Sequence, residues 1–253
     1  MSLINHKEVF RTVEFDAWAD RKGLSDDEKN LIVKYLNKNK KTVEAGTAGG
    51  RILREMKDLG FQELYGYDYL PEFIEQAKER DASQSISFEV QDATDLTYEN
   101  SSFEQIIYLQ QIVCVIEEEE KRLKALTEAY RILKNGGTAL FSFLNFESRI
   151  KSPLVVYLAY LGMLRRLSGS NRSIQYIPWL KLGGKSNFLA LLDRGPYPYW
   201  YKISEAQQIL TKAGFKIVGV GSSYQIGQGK MCDDIESLKN QPIAGMLYFV
   251  CKK

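Results

Sequence analysis

Short apolar runs alternate along the middle of the chain with longer segments whose apolar positions recur at helical spacing. That order belongs to a parallel sheet with crossover helices. Val43 opens the series. The pattern predicts a helix over 51–58 stopped at Gly60, a strand over 63–67, and a helix opened by Pro71. Further strands are expected over 86–90 and 105–109. The acidic run Glu117 to Glu120 suits a helix start, where exposed amides favour negative charge. Asn135-Gly136-Gly137 reads as the C-cap of that helix, and 138–143, rich in β-favouring residues, as a fifth strand. The alternation then breaks over 146–202. Beyond it, Ser204 and Gln207 read as a capping box for a helix stopped by Gly214, and 216–220 and 246–251 as two last strands.

At the end of the first strand, Glu44-Ala45-Gly46-Thr47-Ala48-Gly49-Gly50 leads directly into a helix. Gly46, Ala48 and Gly50 fall at spacing two, where a missing or one-carbon side chain lets the backbone turn sharply and approach a ligand. This suits a nucleotide-type cofactor, although such a string alone is equally a tight turn. Two later features change the balance: Asp68 ends the second strand, and Gln91-Asp92-Ala93 follows the third.

With these motifs in order, the chain resembles the class I S-adenosylmethionine-dependent methyltransferases, closely over 43–144 and more loosely over 206–220. The resemblance implies a Rossmann-like α/β fold: a doubly wound, seven-stranded, mostly parallel sheet with helices on both faces. It divides the chain into an N-terminal helical cap (1–42), a cofactor-binding core (43–145 and 203–253) and a substrate-lid insertion after strand five (146–202). It also implies S-adenosylmethionine as cofactor, with no metal. Glu44, Ala45, Gly46, Thr47, Ala48 and Gly50 would hold the methionine portion. Asp68 would take both ribose hydroxyls, Tyr69 and Leu70 would pack on the adenine, and Asp92 with Ala93 would reach its amino group. Leu109 and Gln110 would offer carbonyls to the ammonium group. Phe15-Asp16-Ala17-Trp18-Ala19 resembles the aromatic segment that closes over bound cofactor, which brings in Phe15 and Trp18. A carboxylate can grip a vicinal diol in a way Asn or Ser cannot, and its charge disfavours a phosphorylated ribose.

Three departures from the family pattern stand out. Ala48 replaces a glycine, which suits a negative backbone torsion. Glu44 replaces the more usual aspartate, and Ile112-Val113-Cys114-Val115 occupies the place where small-molecule relatives often carry histidines. No histidine base can therefore be transferred. His6, the sole histidine, reads as a solvated terminal residue, and Cys114 as a buried packing residue. The amino-methylating Asn-Pro-Pro-Tyr or Asp-Pro-Pro-Tyr clamp and the Pro-Cys nucleophile are both absent after strand four, which disfavours nucleic acid and favours a small-molecule acceptor.

Overall charge is +2, but 147–202 holds nine basic residues against two acidic ones. These cations could neutralise an anionic acceptor or form a solvated surface. An apolar helix expected over 153–167, ending in Arg165-Arg166, leaves open transient contact between the lid and a membrane surface. Nine aromatics share 147–202 and could line an apolar pocket. Gln110, Gln111, Tyr199 and Tyr201 are the candidates for orienting an acceptor. Three scattered cysteines and no secretory or membrane-spanning pattern give a cytoplasmic expectation, as monomer or homodimer. The function expected is methyl transfer to a small, partly apolar acceptor that could be anionic. The alternatives are an RNA methyltransferase, supported only by the basic insertion, and a non-catalytic cofactor-binding regulator.

Overall fold

The computed structural model describes residues 6–253. Seven strands form its main sheet: β1 (Thr42–Ala45), β2 (Leu64–Asp68), β3 (Ile86–Val90), β4 (Phe103–Tyr108), β5 (Leu133–Phe143), β8 (Lys216–Ser222) and β9 (Leu247–Lys252). Their spatial order is β3-β2-β1-β4-β5-β9-β8. The first five run parallel, and β9 lies antiparallel between β5 and β8. The remaining pair, β6 (Lys181–Leu182) and β7 (Lys185–Ser186), forms a small hairpin.

Strands buried on both faces alternate their side chains between two cores. Along β4, Ile106 and Tyr108 enter one cluster, while Ile107 enters the other. The first cluster is completed by α7 (Glu119–Ile132) and α10 (Ile203–Lys212) through residues such as Leu126, Ala129 and Leu210. The second is completed by α3 (Asp26–Tyr35), α4 (Arg51–Asp58) and α5 (Pro71–Arg80) through Ile32, Leu53 and Ile74. Ahead of them, α1 (His6–Arg11) and α2 (Phe15–Ala19) precede the sheet. A short helix, α6 (Ile112–Val115), follows β4.

The segment after β5 contains α8 (Phe146–Ile150), α9 (Val155–Leu167), the hairpin and a 3₁₀ turn (Phe188–Leu192). After β8 come α11 (Ser223–Gly227) and α12 (Ile235–Lys239). Two boundaries differ from expectation. The long helix stops at Ile132, and Leu133–Phe143 is already strand because the Gly136 N–H donates to the Lys253 carbonyl beside it. The N-cap of α10 is Lys202, whose N–H donates to the Glu205 carboxylate at 3.1 Å; Gln207 has no part in the cap.

Because the strand order reverses between β1 and β4, the carboxyl ends of the strands open a crevice there, where doubly wound sheets bind ligands. The register puts Ala45 beside Tyr67 and Asp68 beside Val90, so the motifs predicted at strand ends share one edge.

Candidate cofactor site

A cavity of about 360 Å³ occupies that crevice. The loop after β1 forms its floor. Gly46 takes φ +60°, and a Cβ there would meet Ile112 Cδ1 at 2.3 Å. Gly49 is held for a different reason: a Cβ would strike the Ala19 carbonyl oxygen at 2.3 Å, so α2 can seat directly on the loop. Ala48 adopts φ +46°, against the expectation of a negative torsion. Its N–H donates to Asp68 Oδ2 at 3.1 Å, which fixes the loop to the second strand.

Asp68 is buried, and its other oxygen accepts the Leu70 N–H at 3.1 Å. Burial pushes its pKa up to about 6, against the lowering effect of the backbone donors Leu70, Ala48 and Tyr69. Glu44 is more extreme: burial raises it to about 8, even though the Thr47 hydroxyl donates to its Oε2 at 2.7 Å. Asp92 is exposed and accepts both the N–H and the hydroxyl of Thr94 at 2.8 Å.

Of the residues expected to hold the cofactor, Glu44, Gly46, Thr47 and Ala48 line the cavity, as do Asp68 and Tyr69. Asp92, Ala93, Gln110 and Trp18 complete the set that the structure brings together. Ala45, Gly50, Leu70 and Leu109 stand behind that surface, and Phe15 stacks on Phe73 at 4.9 Å instead. Gln110 and Gln111 take φ +60° and +63°, consecutive left-handed residues that cost of order 1–3 kcal/mol each. The Gln110 amide is already engaged, donating to Glu28 and accepting from Arg21 at 2.9 Å. Gln111 lies outside the lining, and its N–H donates to the Ser142 hydroxyl. Tyr199 and Tyr201 also lie outside it: the Tyr199 N–H donates to the Cys114 carbonyl, and Tyr201 packs against Phe143. Cys114 is buried, and burial pushes its thiol up to about 12, so it stays protonated.

Sequence reasoning missed two features. Arg51, lining the cavity, makes paired hydrogen bonds to the buried Glu28 at 2.7 and 2.8 Å. The Ser25-x-x-Glu28 capping box was a readable signal for that helix start, but nothing local shows its carboxylate to be shared. The second is His6. Read as solvated, it is 4% exposed and lines the cavity, its ring edge-on to Trp179 at 5.6 Å. Its backbone N–H donates to Glu117 Oε1 at 3.1 Å, with Nδ1 3.4 Å from the same oxygen, and Nε2 has no partner. Burial lowers its pKa more than Glu117 raises it, which favours the neutral ring. Lys7 sits over the Tyr69 ring, so α1 covers the mouth of the cavity.

A cavity at the reversal of a doubly wound sheet, ringed by acids at successive strand ends, defines an α/β protein that holds a nucleoside cofactor. Residues 43–141 match the family model of a methyltransferase domain. A solved S-adenosylmethionine-dependent methyltransferase from Methanosarcina mazei superposes with TM-score 0.64 at 17% identity, covering 88% of this chain and 96% of that one. A Pyrococcus horikoshii OT3 protein gives 0.63 at 19% identity, covering 98% and 99%. The eEF1A lysine and N-terminal methyltransferase of Bos taurus is 30% identical over 117 residues, which is 44% of this chain; the chain spans only 17% of that protein's length. Over 43–141 the chain is thus similar to the methyltransferase-domain family, and its fold is that of the solved S-adenosylmethionine-dependent methyltransferase, a class of enzyme whose cofactor is S-adenosylmethionine. The residues present fit that group. Asp68 keeps lone pairs beyond its backbone donors for a diol, and the bare Cα of Gly46 lets Ile112 pack against the loop, where a Cβ would displace that lining side chain.

Proposed function

We propose that the protein transfers a methyl group from S-adenosylmethionine to a small, partly apolar acceptor. The observation that carries this reading is the buried Asp68 carboxylate bonded to the glycine-loop backbone, at the edge shared by Glu44 and Asp92. When bound, the cofactor supplies an electrophilic methyl on a sulfonium. The chain's residues align the partners, a task worth up to about 7–11 kcal/mol, and exclude water. As the new bond to the acceptor atom forms and the carbon–sulfur bond breaks, a proton-bearing acceptor must lose its proton. His6 Nε2, buried and unpartnered, is the group we assign to receive it.

The cations of 147–202 line none of the cavity, so the idea of an anionic acceptor gains no support from it. The mouth carries Glu117, Glu118 and Asp92 against Lys7 and Lys121, a balance that suits a neutral or cationic acceptor. The same acids favour a second reading, a protein amine, the acceptor class in the name of the bovine relative.

Calorimetry tests the cofactor half of the proposal. S-adenosylhomocysteine should bind, and at pH 7 its heat should depend on the buffer, because a cation beside Glu44 drives off the proton that burial holds there up to about 8. Up to about one proton should be released per ligand, and Glu44→Gln should abolish the buffer dependence. Absence of binding by folded protein would remove the proposal's foundation. S-adenosylhomocysteine production with small amines, compared with lysine peptides, separates the two acceptor readings.

For His6, His6→Ala should lower kcat by about 10²–10⁴ while leaving S-adenosylhomocysteine affinity within a few-fold. In the intact enzyme kcat should fall as pH drops below the ring's lowered pKa, with Glu117, Lys7, Glu118 and Lys121 the charged groups around it. An unchanged kcat and pH profile in the variant would show that His6 only packs.

A further inference from the structure

We infer that the outer face of 146–202 is a docking surface for an anionic lipid bilayer. Ten of the fifteen large apolar side chains left exposed among the described residues lie in this segment. Along α9, Val156, Tyr160, Met163 and Leu167 recur at spacings of three and four, a single stripe turned to solvent. The opposite stripe, Leu158, Leu161 and Arg165, is already buried. The helix is therefore apolar on both sides, and its core contacts account for only one of them.

The 3₁₀ turn extends the outer stripe. Tyr157 and Tyr160 donate their hydroxyls to the carbonyls of Ala190 and Leu191, both at 2.7 Å, fixing the turn beside the helix. Phe188 and Leu192 stand 77% and 58% exposed there, and Leu167, at the C-terminal end of α9, 78%. This is a ridge of helix and turn, with the apolar side chains outermost.

Charge selects the occupant. The only acids in 147–202 are Glu147 and Asp193, and both are engaged within the fold. Glu147 accepts the Ile203 N–H at 3.0 Å, and Asp193 pairs with Arg165 at 2.6 Å and lies 3.9 Å from Arg172. Lys151, Arg166, Lys181, Lys185 and Arg194 are exposed with no carboxylate partner among the described residues. An apolar stripe in a segment that carries such an excess of unpaired cations is the form that lies in a membrane interface, and anionic headgroups reward each added cation. A second copy of this face would instead set one excess of positive charge against another. At 13 residues α9 is far too short to cross a bilayer, so the helix lies on the surface. The inference is independent of the acceptor and of methyl transfer.

Flotation of the full chain with phosphatidylcholine vesicles containing about 30% phosphatidylserine, against phosphatidylcholine alone, tests it. The protein should float with the anionic vesicles, and high salt should weaken that binding. Leu167→Glu with Phe188→Glu should reduce it at least about tenfold, since burial of apolar area drives interfacial attachment. Both sites are exposed, and an unchanged melting temperature checks the fold. A separate Lys181→Glu, Lys185→Glu variant should lose the preference for phosphatidylserine. No flotation, or equal flotation of the Leu167→Glu, Phe188→Glu variant, overturns the proposal. So does a wild-type dimer that this variant converts to monomer without any lipid binding, which would give the face to a second copy.

Discussion

Replacing Arg51 with methionine should destabilise the protein by about 3–5 kcal/mol, the cost of leaving a buried charge without its partner. The side chains of Arg51 and Glu28 are 7% and 1% exposed. The guanidinium donates to both Glu28 oxygens and to the Gly23 carbonyl at 2.6 Å, and the Ser25 N–H donates to Glu28 at 2.7 Å. Burial alone pushes Glu28 up; hydrogen bonds and charge from Arg51 outweigh it and hold the carboxyl below its usual range. A depressed pKa contributes stability above the unfolded value of 4.5, lost as pH falls through the folded pKa.

Without Arg51 the sign inverts. Burial then dominates Glu28, so the variant should lose stability as pH rises past 4.5, and its deficit should be larger at pH 7 than at pH 4. Denaturant unfolding at the two pH values measures this. The double variant Glu28→Met, Arg51→Met should recover part of the loss, because a buried ion pair replaced as a whole by apolar groups is often near neutral. A single-variant loss under about 1 kcal/mol, equal at both pH values, would show the pair to be solvated in practice. The pair also matters to the site. Glu28 accepts from the Gln110 amide, so its loss should loosen the strained turn after β4.

The parts of this fold that could be read in advance are those whose determinants are local. The helix Arg51–Asp58 and the strand Ile86–Val90 fall where periodicity and the stop at Gly60 put them. Acids at strand ends were legible for the same reason, since a parallel strand delivers its last residue to a known edge. Ala48 shows where local reasoning stops. Its positive φ is imposed by the bond from its N–H to Asp68, twenty residues on, and by the packing of Ala19 against Gly49.

His6 and Arg51 could not be found locally at all. His6 owes its burial to Glu117 and Trp179, separated from it by more than a hundred residues, and Arg51 meets a helix that precedes the first strand. Local patterns likewise cannot say which face of 155–167 is covered, because α9 is apolar on both.

The largest effect on the site itself is expected from Asp68→Asn. Both oxygens of Asp68 accept backbone N–H groups, from Ala48 and Leu70, at 3.1 Å. An amide keeps one acceptor, so its NH₂ would face one of those donors, and one backbone N–H would be left unpaired. It would also lose the charge-assisted bonds to two ribose hydroxyls, worth about 1.5–3 kcal/mol each. Together these predict S-adenosylhomocysteine binding weaker by about 10²–10⁴, at about 1.4 kcal/mol per tenfold.

The pH dependence separates that loss from a general distortion. Burial pushes Asp68 up to about 6, and the ionised form is the one that would accept from both hydroxyls in the proposed role. In a Glu44→Gln background, which takes the Glu44 proton out of the balance, affinity should therefore hold from pH 8 to 7 and then fall below about 6, approaching tenfold per unit. Asp68→Asn has no proton to gain and should bind weakly without that fall. Calorimetry between pH 5 and 8, with far-ultraviolet circular dichroism to confirm the fold, measures both. Unchanged affinity in the variant would move the ribose contact to another residue. A fall below pH 6 that persists in the variant would assign the titration to another group in the cavity.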